Sequence, residues 1–148
     1  MHNGSIKIMT IIAVILQALA TVLGFGIVAL QKTLLHTFMR MPDDSSVTVF
    51  PITMIFVVLH LIIYIVFLSI SKKEGNRAEG IILIILSIVL SVVSVFGSVL
   101  VNIFYSRQGA AALGAYSGIT TLINYVNTLL VIPAEALFYI ACGRYTAK

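Results

Sequence analysis

Two side chains in this sequence are able to do chemistry in an unusual place, because each is embedded in a long apolar run. Glu135 follows Pro133 by two positions, and His60 sits among Ile, Val, Leu and Phe. A carboxyl and an imidazole can take up, release or relay protons, or hold a cation. Other polar residues recur near them at helical steps. Thr120, Asn124, Asn127, Thr128, Glu135 and Tyr139 fall near one face of a helix. Pro133 should kink that helix, since proline lacks the N–H that would bond the Leu129 carbonyl. Thr10, Ala13, Gln17, Thr21 and Gly24 make a second stripe, with Ala20 and Gly24 as a pair of small residues four apart. Thr53, Val57, His60, Tyr64 and Ser71 make a looser third. Ser87, Ser91, Ser94 and Ser98 form the most regular one, spaced four, three and four apart, with Asn102 continuing the face.

The elements that must position these stripes follow from composition. The 148 residues are 60% hydrophobic and 9% charged, with mean hydropathy +1.13, whereas a soluble domain carries about a quarter charged residues. Of the nine Lys and Arg and five Asp and Glu, only Glu135 lies within the apolar spans 8–30, 52–70, 81–105 and 117–142. A hydrocarbon core of about 30 Å needs roughly 20 apolar residues per helix. The expected fold is therefore all-α: a polytopic integral membrane protein, a four-transmembrane-helix antiparallel bundle forming a single membrane domain over 1–148. The expected boundaries are spans at 7–31, 52–71, 80–105 and 116–143. Outer loops at 32–51 and 106–115 and an inner loop at 72–79 connect them.

Six basic residues (Lys7, Lys72, Lys73, Arg77, Arg144, Lys148) flank the side shared by both termini, and three (Lys32, Arg40, Arg107) flank the other. The positive-inside rule then predicts a multi-pass protein of the cell membrane with cytoplasmic N- and C-termini. In the first outer loop a helical extension should run until Pro42. Asp43 and Asp44 beyond it read as a solvated turn rather than a cation site. Gly109 to Gly114 reads as a small, flexible connection, and Cys142 as a small apolar residue at a helix end or a palmitoylation site.

In depth, Gln17, His60, Ser91 or Ser94, and Asn127 fall near the middle of their spans, one from each, with Glu135 and Tyr139 lying below. An ionised carboxylate there costs about 2.5–3.5 kcal/mol. No Lys or Arg lies in any span to pair with it, so a neutral or water-contacting Glu135 is expected. Glu135, His60, Gln17, Asn127, Asn124 and Tyr139 thus form the candidate polar or ion site. Ser87, Ser91, Ser94, Ser98, Ala20 and Gly24 form the candidate packing faces.

Several activities lack their residues. The three histidines, His2, His36 and His60, lie at different levels, which disfavours a zinc centre or a bis-histidine haem. One cysteine excludes a Cys-x-x-Cys oxidoreductase, and no phosphate-binding glycine loop is present. Neither enzymatic activity nor a metal, cofactor or nucleic-acid partner is expected. The first expectation is an interaction, assembly or accessory subunit that meets the bilayer and a second copy or a membrane-protein partner through its small-residue faces and first outer loop. The alternative is a small oligomeric proton- or cation-coupled transporter or channel using Glu135 with His60.

Overall fold

A computed structural model describes residues 2–39, 52–70 and 77–146, and among these only Leu30, Ile52 and Gly109 are not helical. Helix α1 (His2–Ala29) is followed by α2 (Gln31–Met39), α3 (Thr53–Ile70), α4 (Arg77–Gln108), α5 (Ala110–Val126), a five-residue π-helical segment (Asn127–Val131) and α6 (Ile132–Thr146). Four stretches are long and apolar enough to cross a membrane: Gly4–Ala29, Thr53–Ile70, Ala78–Gln108 and Ala112–Thr146. Asp43 and Asp44, and the inner loop as far as Asn76, lie outside the described residues.

The spans form a four-membered ring. Helix α1 packs against α3 and α6, and α4 packs against α3, α5 and α6. Small residues permit these approaches. Ala13 and Ala20 on α1 and Ala134 and Ala141 on α6 are wholly buried. Gly24 lies under the thioether of the buried Met54, where a Cβ would collide, and Gly80 lies likewise against Thr146. At the end holding both termini, Ile6, Phe67, Leu83, Phe138 and Tyr145 belong to one apolar cluster. There Arg144 donates to Ser5 Oγ at 2.7 Å. At the other end Met54, Tyr105, Tyr116, Ile119 and Ile123 form a second cluster, with Tyr105 and Tyr116 stacked at 4.8 Å. The outward surface is apolar, carrying Val22, Ile62, Val95, Phe96, Leu100 and Ile132. Such an exterior is what a bilayer accepts.

Two connections differ from the sequence expectation. The helical extension after the first span exists but is a separate element, interrupted at Leu30, and α2, like α1, packs against α5. The hydrogen bonds Leu30 N to Gly26 O (3.0 Å) and Leu34 N to Leu30 O (2.9 Å) carry the chain across the break. The second outer loop, expected over 106–115, reduces to one residue. Gly109 alone is extended, at φ 122° and ψ 170°, a conformation essentially reserved for glycine. The segment after it is helical because Ala110, Ala111 and Ala112 are the best helix formers available. Helix α4 thereby reaches 32 residues, about 48 Å at 1.5 Å per residue, and overruns a hydrocarbon core at one end or both.

Gly109→Val should therefore lower the unfolding free energy in detergent by about 1–3 kcal/mol. Gly114→Ala, where a Cβ meets nothing within 4 Å, should leave it unchanged or slightly raised. Thermal or denaturant unfolding followed by circular dichroism reads both.

Candidate functional site

Between the two apolar clusters lies a polar layer. Gln17 from α1, Thr53, Phe56, Val57 and His60 from α3, and Ser91 and Ser94 from α4 line a cavity of about 260 Å³. Asn127, Val131, Ile132 and Glu135 from the fourth span complete its wall. Of the candidate site residues read from sequence, the structure brings Gln17, His60, Asn127 and Glu135 together here. Tyr139 sits outside the cavity wall, its hydroxyl 3.0 Å from Ser87 Oγ. Asn124 lines a second cavity of about 230 Å³ with Thr53, Ser98, Asn102, Tyr116 and Thr120, toward the Gly109 end. Thr53 belongs to both walls.

The π-helical segment explains that partition. Pro133 removes one backbone donor, and the N–H of Ile132 bonds back to Asn127 O across five residues instead of four. This adds one residue to the turn. In an unbroken α-helix Asn127 and Glu135 would point about 80° apart, at 3.6 residues per turn. One extra residue reduces the difference to about 20° and turns Asn124 away by a corresponding amount. The stripe expected to run straight from Thr120 to Tyr139 is therefore split. Thr128 has left it too: it is exposed and donates to Asn124 O at 2.8 Å.

His60 is held by three helices. Its Nδ1 lies 2.7 Å from Phe56 O; a carbonyl only accepts, so Nδ1 carries a proton. Nε2 faces Ser87 O at 3.3 Å, Ser91 Oγ at 3.3 Å and Glu135 Oε1 at 3.7 Å. With the carboxyl ionised, only the hydroxyl of these three can donate to a neutral ring; a neutral carboxyl can donate as well, and a protonated Nε2 can donate to any of them. Ser91 Oγ also reaches Ser87 O at 3.0 Å. The imidazole is almost enclosed at 6% exposure, while the Glu135 side chain is 28% exposed. Glu135 thus has both a titratable partner and contact with the cavity, the two routes open to a carboxylate at depth.

The amides complete the layer. Gln17 Nε2 donates to Val57 O at 3.0 Å, which assigns Oε1 as the other end of the amide. That oxygen is buried without a partner, as are Asn127 Oδ1 and Tyr64 OH. Below His60, the Tyr64, Phe67, Phe138 and Tyr145 rings pack at centroid distances of 4.6 to 5.7 Å and fill the bundle toward the termini. Cys142 is wholly buried near these rings, which leaves it no access for palmitoylation in this packing. Among the small residues, Ser87, Ala20 and Gly24 are buried within the bundle, and Ser91, Ser94 and Ser98 are partly so.

Thr53 and Tyr64 were not among the candidates. Both lie on the α3 stripe with His60, seven residues before it and four after, so the helical spacing carried the signal. Among the described residues no three His, Cys, Asp or Glu side chains gather in one place. Fold and site together define an all-helical bundle, apolar enough outside to cross a membrane and polar at its centre. No protein-family model, no curated protein and no solved structure matches the chain.

The bond between Ser87 and Tyr139 ties α4 to α6 directly. A double-mutant cycle of Ser87→Ala and Tyr139→Phe should give a coupling of about 0.6 kcal/mol, the usual value between membrane helices. Reversible unfolding in mixed micelles measures it.

Proposed function

We propose that this chain is a multi-pass protein of the cell membrane, with both termini cytoplasmic, and acts as a small proton-coupled cation transporter working at the His60–Glu135 pair. The single observation that carries this reading is that the only carboxylate of the apolar spans faces a histidine ring nitrogen across 3.7 Å, at the wall of a polar cavity. With His60 neutral and Glu135 ionised, the cavity carries one net negative charge and attracts a cation. A proton on Nε2 cancels that charge within the pair. Proton and cation therefore compete for the same carboxylate, which is the requirement for exchanging one against the other. The remaining titratable groups near the pair are Tyr64 from α3 and Tyr139 and Cys142 from α6, while α1 and α4 contribute amide and hydroxyl groups.

In this reading the second cavity, which shares Thr53 with the first and is lined by Asn102, Tyr116, Thr120 and Asn124 toward the Gly109 end, is the polar approach to the pair. The aromatic cluster occupies the other end. By the distribution of basic residues the Gly109 end faces outward. Against the assembly reading stands the burial of Ser87, Ala20 and Gly24, three of the small residues it would offer to a partner, within the bundle. The chain is proposed to be non-enzymatic.

In liposomes containing a pH-sensitive dye, wild-type protein should convert an imposed cation gradient into a pH change. Glu135→Gln should abolish the response while the protein stays folded and monodisperse. His60→Gln should leave cation movement but uncouple it from pH. No response above protein-free vesicles for any alkali-metal or alkylammonium ion would refute the proposal.

A further inference from the structure

The cavity's hydrogen-bonding inventory bears on which cation it takes, and the following inference rests on the transport reading above. We infer that the cavity binds a small protonated amine, a cation that carries N–H donors, with Gln17 Oε1, Asn127 Oδ1 and the Glu135 carboxylate as its acceptors.

Three facts carry this. The first is a pair of buried, unpartnered amide oxygens among the residues that line the cavity with the carboxylate. Gln17 is wholly buried, its Nε2 is engaged by Val57 O, and its Oε1 has no partner. Asn127 Oδ1 is buried and unpartnered in the same wall. With the carboxylate these make three acceptor groups, and an ammonium head offers three donors. The second is size. A volume near 260 Å³ corresponds to roughly eight or nine waters at ~30 Å³ each, far more than one bare metal ion fills. The third is the mixed wall. Phe56, Val57, Val131 and Ile132 supply apolar surface beside the acceptors, suited to the short carbon chain of an amine.

A quaternary ammonium would satisfy the charge and the apolar wall but has no N–H, so both amide oxygens would remain unpaired in a water-poor site. An alkali-metal ion would satisfy the acceptors only by bringing much of its hydration shell with it. Water alone can pair the amides but leaves the carboxylate charge uncancelled. A proton on His60 removes that charge, so amine binding should weaken as pH falls.

Purified full-length protein in detergent, titrated calorimetrically at mildly alkaline pH with methylammonium, ethylammonium, tetramethylammonium and sodium, tests the inference. Methylammonium and ethylammonium should bind at least about tenfold more tightly than the other two, and Gln17→Leu and Asn127→Leu should each cost about tenfold. Equal binding of tetramethylammonium or sodium, no alkylammonium binding, or unchanged binding in both variants would overturn it. The comparison among the four cations uses wild-type protein and stands even where a variant fails to fold. If alkylammonium ions do not bind but alkali-metal gradients still drive a pH change in liposomes, the amine inference falls and the transporter reading survives. If alkylammonium ions bind with the expected selectivity but no cation gradient moves protons, the transporter reading falls and the amine site stands.

Discussion

A polar group shut away from water must find its partner within the protein, and that constraint orders nearly everything in this bundle. Short hydroxyls meet it locally: Thr10 donates to Ile6 O at 2.7 Å and Thr21 to Gln17 O at 2.8 Å, each within its own helix. Longer side chains cannot bend back so readily and turn inward. Gln17 reaches across to the α3 backbone, Tyr139 to α4, and His60 to both its own helix and α4. The result is a polar layer between two apolar clusters, with the outer surface left to aliphatic and aromatic residues. Among the described residues, two buried amide oxygens and one buried phenol remain without protein partners; the two amide residues line the cavity, and the phenol, Tyr64, lies in the aromatic cluster next to it.

Much of this was legible from the sequence. Four spans, their approximate limits and the isolation of Glu135 follow from where charges are absent, and that signal is strong because the bilayer penalty is large. The gathering of Gln17, His60, Ser91, Ser94 and Asn127 could be anticipated from depth, since residues at equal height in neighbouring helices must meet if their polar faces point inward, whereas Glu135, expected below that layer, lines the same cavity. What did not follow was angular. A regular helical repeat puts Asn124 nearer than Asn127 to the Glu135 direction; the π turn before Pro133 reverses that order, so Asn127 joins the carboxylate and Asn124 leaves it. Proline signalled a disturbance at that point, but not that the backbone would absorb it by adding a residue to a turn rather than by bending.

The second connection was misjudged for a different reason. Glycine at both ends of Gly109 to Gly114 reads as flexibility, yet the alanines between them favour helix strongly enough to leave only Gly109 outside it. The first connection shows the converse. Helix formers after the first span do continue as helix, but in a separate element beyond Leu30 that packs against α5, a tertiary contact invisible in local propensity.

The single-residue joint at Gly109 also limits how the bundle can move. One extended residue spans at most about 3.6 Å, so the end of α4 and the start of α5 form a short tether and cannot slide far past each other. The π turn sits some twenty residues further on, where one backbone ladder is already interrupted. Any rearrangement that exposes the cavity to the opposite side is thereby restricted at one end and eased in the middle. The fourth span is thus built of two mechanically different parts: α5, tethered to α4 at Gly109, and α6, which carries Glu135 beyond the extra residue and is clamped between α1 and α4.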